Sequence, residues 1–430
     1  MKTSIVWFKT DLRLHDNETL IKAIAQSDEI IPVYCFEDSQ FETTQFGFKK
    51  TGNFRAQFLL ESLTDLEQNL RAIGSGLLIV KGKPEIEIPK ILQLYKASKV
   101  FAKREVSYEE KQTEVRVQEE LFKLKCELKT FSTSTLYHAE DLPFSIKDIP
   151  DVFTNFRKKT EKDAFIRDSF EEPNEIKSPE IEPLKLPTLQ ELGLDYQPID
   201  SRAVLQFKGG ETEAITRLNH YFFETKCISK YKETRNGLVG ADYSSKFSAW
   251  LALGCISPRF INDKLKKYEQ EIGANESTYW LVFELLWRDY FRFMMKKHNS
   301  KFFQLAGIQD KGIEVNIHNS HQLQQWIDGE TGVDFVDSNM IELKLTGFMS
   351  NRGRQNVASY LCNDLKLDWR YGAAYFEQQL IDYDVCSNWG NWAYLAGVGN
   401  DPKGNRYFNI NKQAADYDKN KIYRNLWLKS

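Results

Sequence analysis

No run of roughly eighteen apolar residues occurs anywhere in the 430 positions, so nothing in the sequence is expected to span a bilayer as a helix. The opening, Met1-Lys-Thr-Ser-Ile-Val-Trp-Phe-Lys9, has too short an apolar stretch for a secretory signal, and a cytoplasmic protein is expected. Cysteine is sparse: six residues, at 35, 126, 227, 255, 362 and 386, form no C-x-x-C pair. They read as reduced core residues rather than disulfides or metal ligands. An excess of one charge sign is also missing, since Lys+Arg 58 against Asp+Glu 61 leaves a net −3. Whole-molecule charge therefore does not predict nucleic-acid binding, and any such surface must be a local patch. Residues 401–430, with seven Lys/Arg against three Asp, are the candidate at net +4.

Several chemistries lack their signatures. There is no P-loop and no nucleophile–base pair. Gly397-Val-Gly399-Asn-Asp-Pro-Lys-Gly404 has the wrong spacing for a dinucleotide fingerprint and follows aromatic helix rather than a strand, so it reads as a surface loop. His318-x-x-His321 has a zinc-like spacing but no Cys or carboxylate set beside it, and no metal is expected.

What is present describes a globular chain of two or three domains, 41% apolar and 28% charged. Ser4–Phe8, Ile30–Phe36, Leu77–Lys81, Lys99–Ala102 and Leu128–Phe131 read as buried strands, with Pro32 weakening the second or marking its start. Helical patterns lie between them, most clearly Arg55–Ile73, with Phe58, Leu59, Leu63, Leu66 and Leu70 on one face and Gly74 as the stop. The alternation predicts an α/β domain with a doubly wound parallel sheet over residues 1–131. Ligands of such sheets bind at the strand carboxyl ends. Asp11–Asn17, Glu37–Asp38 and Lys103–Glu110 fall there, and Arg13, Asp16 and Asn17 suit either a ligand or the docking of another domain. Residues 132–200, with Pro/Glu-rich 171–183, read as a connector carrying short helices at Phe144–Phe156 and Leu189–Leu194. Residues 201–430 show only helical spacing (Thr212–Thr225, Tyr279–Met295, Val357–Trp369) and should form an all-α domain holding eight of the nine tryptophans.

Three constellations carry chemistry. Asp242-Tyr-Ser-Ser-Lys-Phe-Ser248 precedes an apolar helix, Trp250–Gly254; hydroxyls, N–H groups and one Lys suit an anion, although serines there also serve as plain caps. Glu284-Leu-Leu-Trp287-Arg288 places Glu284 and Arg288 four apart, either as a helix ion pair or as the polar wall of a cavity with an aromatic beside it. Asp382-Tyr-Asp384, among apolar neighbours, needs a partner, and Arg354 is the natural one. That pair serves either to tie helices or to grip the edge of a heterocycle.

Taken together, Trp7-Phe-Lys-Thr-Asp-Leu-Arg13-Leu-His-Asp-Asn17, Thr346–Gln355 and Leu380–Ile410 resemble the photolyase/cryptochrome family. Trp392-Ala-Tyr394-Leu-Ala-Gly-Val-Gly-Asn-Asp-Pro resembles its DASH cryptochrome branch, and the resemblance covers the whole chain. It implies an antenna domain, a linker and a helical domain that holds FAD in a bent conformation. Matched position by position, Tyr231, Ser244, Ser245, Lys246, Phe247 and Ser248 hold the phosphates, and Arg288, Arg354, Asp382, Tyr383, Asp384 and Asn388 surround flavin and adenine, with Asn388 at the flavin N5. Glu284, Trp287, Asn351, Gln355 and Tyr394 form the pocket for a cyclobutane pyrimidine dimer flipped out of DNA. Arg235, Arg352, Lys403 and Arg406 meet phosphates. Trp392 and Trp369 relay electrons, while the third position of that relay falls near Asn316, which is not aromatic. Glu109 matches the carboxylate that holds a methenyltetrahydrofolate antenna, in an alignment free to slip within Ser107–Glu110. Where related photolyases carry Trp and Met, this chain has Tyr394 and Gln355, a more polar pocket typical of the branch that favours single-stranded damage. The implied activity is that of a deoxyribodipyrimidine photolyase, a light-driven carbon–carbon lyase acting as a monomer. The alternative is a blue-light photoreceptor that binds DNA without a major repair role. The sequence has no long tail beyond Ser430 of the kind signalling relatives carry, so repair is the expectation. A photoproduct lyase of the pyrimidine–pyrimidone type is disfavoured, since Met349-Ser-Asn351 offers no His.

Overall fold

The computed structural model describes residues 2–310, 312, 313, 315, 320–401 and 406–429. Five strands, β1 (Thr3–Phe8), β2 (Glu29–Phe36), β3 (Leu78–Lys81), β4 (Lys99–Lys103) and β5 (Glu127–Phe131), form one sheet in the order β3-β2-β1-β4-β5. Every neighbouring pair is parallel. Helices Glu18–Gln26, Asn53–Ala72, Pro84–Leu94 and Tyr108–Lys123 make the crossovers. β1 is buried along its whole length, which explains its unbroken apolar run. Pro32 lies inside β2 rather than at its start. β3 pairs only from Val33 onward, so the outer edge of β2 is open at Pro32 and the missing N–H is tolerated.

After β5 the chain crosses to the helical half. The Phe144–Phe156 expectation resolves into a short turn, Ile146–Asp148, and a later helix, Phe153–Asp163; only one 3-10 turn, Gln190–Leu192, forms within Leu189–Leu194. The helical half is built on Glu276–His298, whose Asn275 side chain caps it by accepting from Ser277 and Thr278 N–H. The run Val357–Trp369 is not one helix. Asn351–Ser359 passes into a wide π turn at Tyr360–Asp364, Lys366 takes φ +52°, and Asp368 caps a new helix that begins at Trp369. Part of the glycine-rich stretch is packed rather than exposed: Val398, Asn400 and Asp401 are buried, and Val398 O accepts from Ile308 N–H.

The Arg13 cluster joins the two halves. Arg13 is 2% exposed and donates to His15 O, Gly254 O, Asp16 O and Thr133 O. Asp16 accepts from Arg259 (Nη2–Oδ1 2.6 Å) and from Ser257 Oγ (2.6 Å), and His15 pairs with Glu211. These residues of the β1 loop dock the helical half. Gly254, at φ +67°, lets that half approach so closely that an added Cβ would collide with Thr10 O.

Candidate functional site

Gly347 (φ +70°) stops helix Asp334–Thr346, and Ser350 starts Asn351–Ser359 by accepting from Gly353 N–H at 2.9 Å. Ile381 N–H donates to Gly347 O at 2.8 Å, which lays the segment before helix Val385–Leu395 beside that start. Arg354 Nη2 therefore reaches Asp382 Oδ1 and Oδ2 at 2.9 and 2.8 Å. Arg354 Nε is fixed on Met349 O, and the Asp382 side chain is 2% exposed against 25% for Arg354. Asp384 caps its helix through Ser387 N–H (2.8 Å). Burial opposes its charge, but Arg288, Arg292 and the Ser387 N–H outweigh burial and hold the carboxyl below the usual range. Asn388, one turn later, donates Nδ2–H to Ala373 O at 3.0 Å, which fixes its amide and leaves Oδ1 without a donor among the described residues.

The Asp242–Ser248 turn is held from behind by Arg217, which donates to Ala241 O, Ser244 O and Ser245 O and pairs with Asp242 at 2.7 Å. Lys246 sits at φ +62°, its Nζ 3.1 Å from Ser244 Oγ and 2.9 Å from the Tyr243 ring centroid. Burial pushes Lys246 well below the ordinary lysine value. Ser248 is exposed at the start of a helix whose next five residues are buried; the preceding Phe247 is buried, as is Tyr231. Within the turn, the buried Tyr243 Oη has no hydrogen-bond partner among the described residues. Arg217 was not singled out from the sequence; its signal was a charge on the apolar face shared by Ala214 and Leu218.

Glu284 and Arg288 do not pair, although they lie four apart on one helix. Arg288 turns to Ser134 O and Leu251 O, while Glu284 Oε1 accepts from Arg235 Nη1 at 2.6 Å. Burial raises Glu284, Arg235 opposing. Trp287 stacks on Phe153 at 3.6 Å and 13°, with Phe291 at 5.6 Å and Tyr394 edge-on at 6.2 Å. The Phe153 contact was not foreseen and covers part of a ring expected to be open for bases. Tyr394 lies under Arg406, whose guanidinium carbon is 4.7 Å from the ring centroid and whose Nε meets Asp401 at 2.6 Å. Asn351 is exposed, and Gln355 Oε1 is buried with no hydrogen-bond partner among the described residues. Arg352 donates to Asn236 Oδ1 at 3.0 Å and lies over Tyr417. Lys403, Asn316 and His318 lie outside the described residues.

Trp392 packs on Phe376 (5.0 Å) and Trp326 (6.2 Å) and presses its ring against Gly372, one turn along from Trp369. Trp369 donates to Leu305 O and meets Trp389 edge-on at 5.8 Å.

A separate cleft of about 860 Å³ opens at the carboxyl ends of β1 and β4, between the two halves. Lys50, Arg55, Glu105, Glu109, Glu110, Tyr383 and Trp389 are among its walls. Tyr383 thus faces this cleft, with Arg55 4.5 Å above its ring. Glu109 stands at the rim, its side chain 73% exposed and paired with Lys50 at 2.5 Å. Glu110 is the half-buried neighbour; desolvation, then repulsion from Glu105, pushes its carboxyl up to about 7 while Ser107 Oγ donates to it at 2.5 Å.

Residues 4–177 match the DNA photolyase family, and residues 280–430 match the FAD binding domain of DNA photolyase. The chain is 49% identical to a cryptochrome DASH of Gloeobacter violaceus, over 99% of this chain and 85% of the relative. It is 50% identical to a cryptochrome DASH of Danio rerio, over 99% of this chain and 83% of the relative. A solved cryptochrome of Synechocystis sp. PCC6803 superposes with a TM-score of 0.97 at 49% identity, covering 100% of this chain and 89% of that one. An α/β sheet domain docked on a helical, FAD-binding domain, matched over its whole length by such relatives, places the chain in the photolyase/cryptochrome family, among the DASH cryptochromes.

Proposed function

We propose that the chain is a blue-light-driven, FAD-dependent lyase that splits cyclobutane pyrimidine dimers, mainly in single-stranded DNA. The observation that carries this reading is the partnering around Arg354, Asp382 and Glu284. An anchored guanidinium–carboxylate pair, a fixed amide at Asn388 and orphaned polar atoms on Tyr243 and Gln355 are what a bound, hydrogen-bonding heterocycle calls for. These residues fit FAD. Ser244, Ser245, Lys246, Phe247, Ser248 and Tyr231 would hold the phosphate side; Arg288, Arg354, Asp382, Asp384 and Asn388 the ring systems. When bound, the flavin supplies one-electron chemistry on absorbing light. The chain's own work is to hold positive charge at Arg354, to keep the amide of Asn388 hydrogen-bonded without a transferable acid proton, and to keep donor and acceptor close and dry.

Trp287 and Tyr394 border the lesion pocket, with Glu284 as its carboxyl group. Trp287 stays half-buried beside its Phe153 stack and would meet bases with what it leaves exposed, and Arg235, Arg352 and Arg406 would form a basic rim for phosphates. Flipping a dimer costs least from a single strand, which suits a polar pocket of this kind. The interdomain cleft suits an antenna such as methenyltetrahydrofolate, with Glu109 at the rim and Glu110 in the wall. Among the described residues no helix is long and apolar enough to cross a membrane, and a monomeric cytoplasmic enzyme is the working picture.

The test is direct. Purified yellow protein is incubated with dimer-containing oligonucleotides, single- and double-stranded, in blue light and in darkness. Light-dependent repair, faster on the single strand, is expected. Repair absent or equal in darkness on both would leave the photoreceptor reading.

A further inference from the structure

Trp389 carries none of the roles assigned above, yet it joins Trp369 to the interdomain cleft. Its ring meets Trp369 at 5.8 Å, Phe303 at 5.0 Å and Phe46 at 6.4 Å, and it lines the interdomain cleft. It lies one helical turn before Trp392. Its N–H environment sets it apart. Trp369 donates to Leu305 O and Trp326 to Val357 O, both neutral carbonyls that cannot take a proton. The Trp389 indole N–H is shared between Glu377 Oε2 at 3.3 Å and Tyr383 Oη at 3.2 Å. An oxidised indole is a strong acid, so a tryptophan radical persists where a base waits for its proton and returns its electron where none does. Burial makes Glu377 a better base than an ordinary carboxylate, with Arg55 opposing.

We propose that Trp389 is the terminal electron donor of this chain, with Glu377 as its proton acceptor, and that the interdomain cleft is where a small thiol restores it. The inference rests on the flavin reading above. With light-excited oxidised FAD as the oxidant, one electron leaves Trp389 through Trp369 and Trp392. The indole N–H proton passes to the Glu377 carboxylate, leaving a neutral indolyl radical. A thiol in the cleft then gives that radical one electron and one proton, becoming a thiyl radical, and Glu377 releases its proton to water; the thiyl radicals of two such turnovers pair as a disulfide. The route does not need an aromatic side chain at position 316, where the sequence has Asn.

Holoprotein with oxidised FAD, excess dithiothreitol and blue light tests this, with transient absorption and electron paramagnetic resonance as readouts. Wild type should show a long-lived neutral tryptophan radical. Trp389→Phe should keep its flavin absorbance in the dark, lose that radical, and photoreduce roughly tenfold more slowly. Glu377→Gln should still transfer the electron but show a protonated tryptophan radical that decays by rapid recombination. A Trp389→Phe protein that forms the same radical and photoreduces at the wild-type rate overturns the proposal, and so does a long-lived radical of tyrosine character. Purified wild type that binds no flavin would instead sink the reading on which the proposal rests.

Discussion

Asp382 accepts both of its hydrogen bonds from one nitrogen of Arg354, and its side chain is nearly sealed from water. Removing the carboxylate leaves a partly buried guanidinium uncompensated at the place where the flavin is held, a type of loss that costs about 3–5 kcal/mol. Asp382→Ala should therefore lose flavin, and the purified protein should be colourless; a normal yellow preparation would show that the pair only ties helices. Glu284 behaves differently, because its partner Arg235 has water on one side. Glu284→Ala should retain FAD and lower repair by about 10²-fold or less, in the range of a single positioned donor or acid, as read by dimer splitting under saturating light. Loss of flavin from that variant would move Glu284 out of the lesion pocket. At this scale the sequence was legible where a charge sat among apolar residues, as Asp382 does between Ile381 and Tyr383, which calls for a partner such as Arg354. It was misleading where spacing suggested a partner: Glu284 and Arg288 share a helix face, yet each is taken by a residue distant in the chain.

Helices Trp369–Gln379 and Val385–Leu395 meet through a glycine. Gly372 has no Cβ, and a Cβ built there would collide with the Trp392 ring. In an open helix Gly→Ala gains about 1 kcal/mol. Here overpacking against a buried indole costs ~1–3 kcal/mol, and the second effect wins. Gly372→Ala should lower Tm and change the near-ultraviolet dichroism of the tryptophans; an unchanged or raised Tm would mean the ring moves aside freely. Element boundaries were only partly readable. The helix pattern through Val357, Leu361, Leu365 and Trp369 kept its period across a π turn and a left-handed Lys366, because apolar spacing records which face is buried rather than whether the backbone hydrogen bonds continue. Pro32 misled in the opposite direction, since its tolerance depends on where a neighbouring strand begins, which no local pattern states.

The two halves are held by charges that were visible in the sequence, Arg13 and Asp16, through partners that were not, Gly254, Thr133 and Arg259. Long-range pairing of this kind leaves no periodic trace, and the same holds for the C-terminal helix Ile422–Leu428, which packs on Asp334–Thr346 through Tyr423. Tyr423 Oη donates to Glu342 Oε2 at 2.5 Å, while Oε1 of Glu342 is buried with no hydrogen-bond partner among the described residues. Burial pushes the Glu342 carboxyl from 4.5 up to about 7, against the Tyr423 hydrogen bond and the charges of Lys246 and Arg354; Tyr243 also faces it. A carboxyl raised on folding stabilises the fold in its neutral form. Its contribution is complete below the unfolded value of 4.5 and is lost as pH rises through about 7. Glu110 and Asp289, also raised to about 7, lose stability in the same direction, so the informative quantity is the difference between wild type and a single variant. In Glu342→Gln one of those titrations is removed. Denaturant unfolding between about pH 5 and pH 8 should then show a shallower fall of stability with rising pH than in wild type. Parallel curves for the two proteins would show that Glu342 stays charged in the fold, satisfied by Lys246 rather than neutralised by burial.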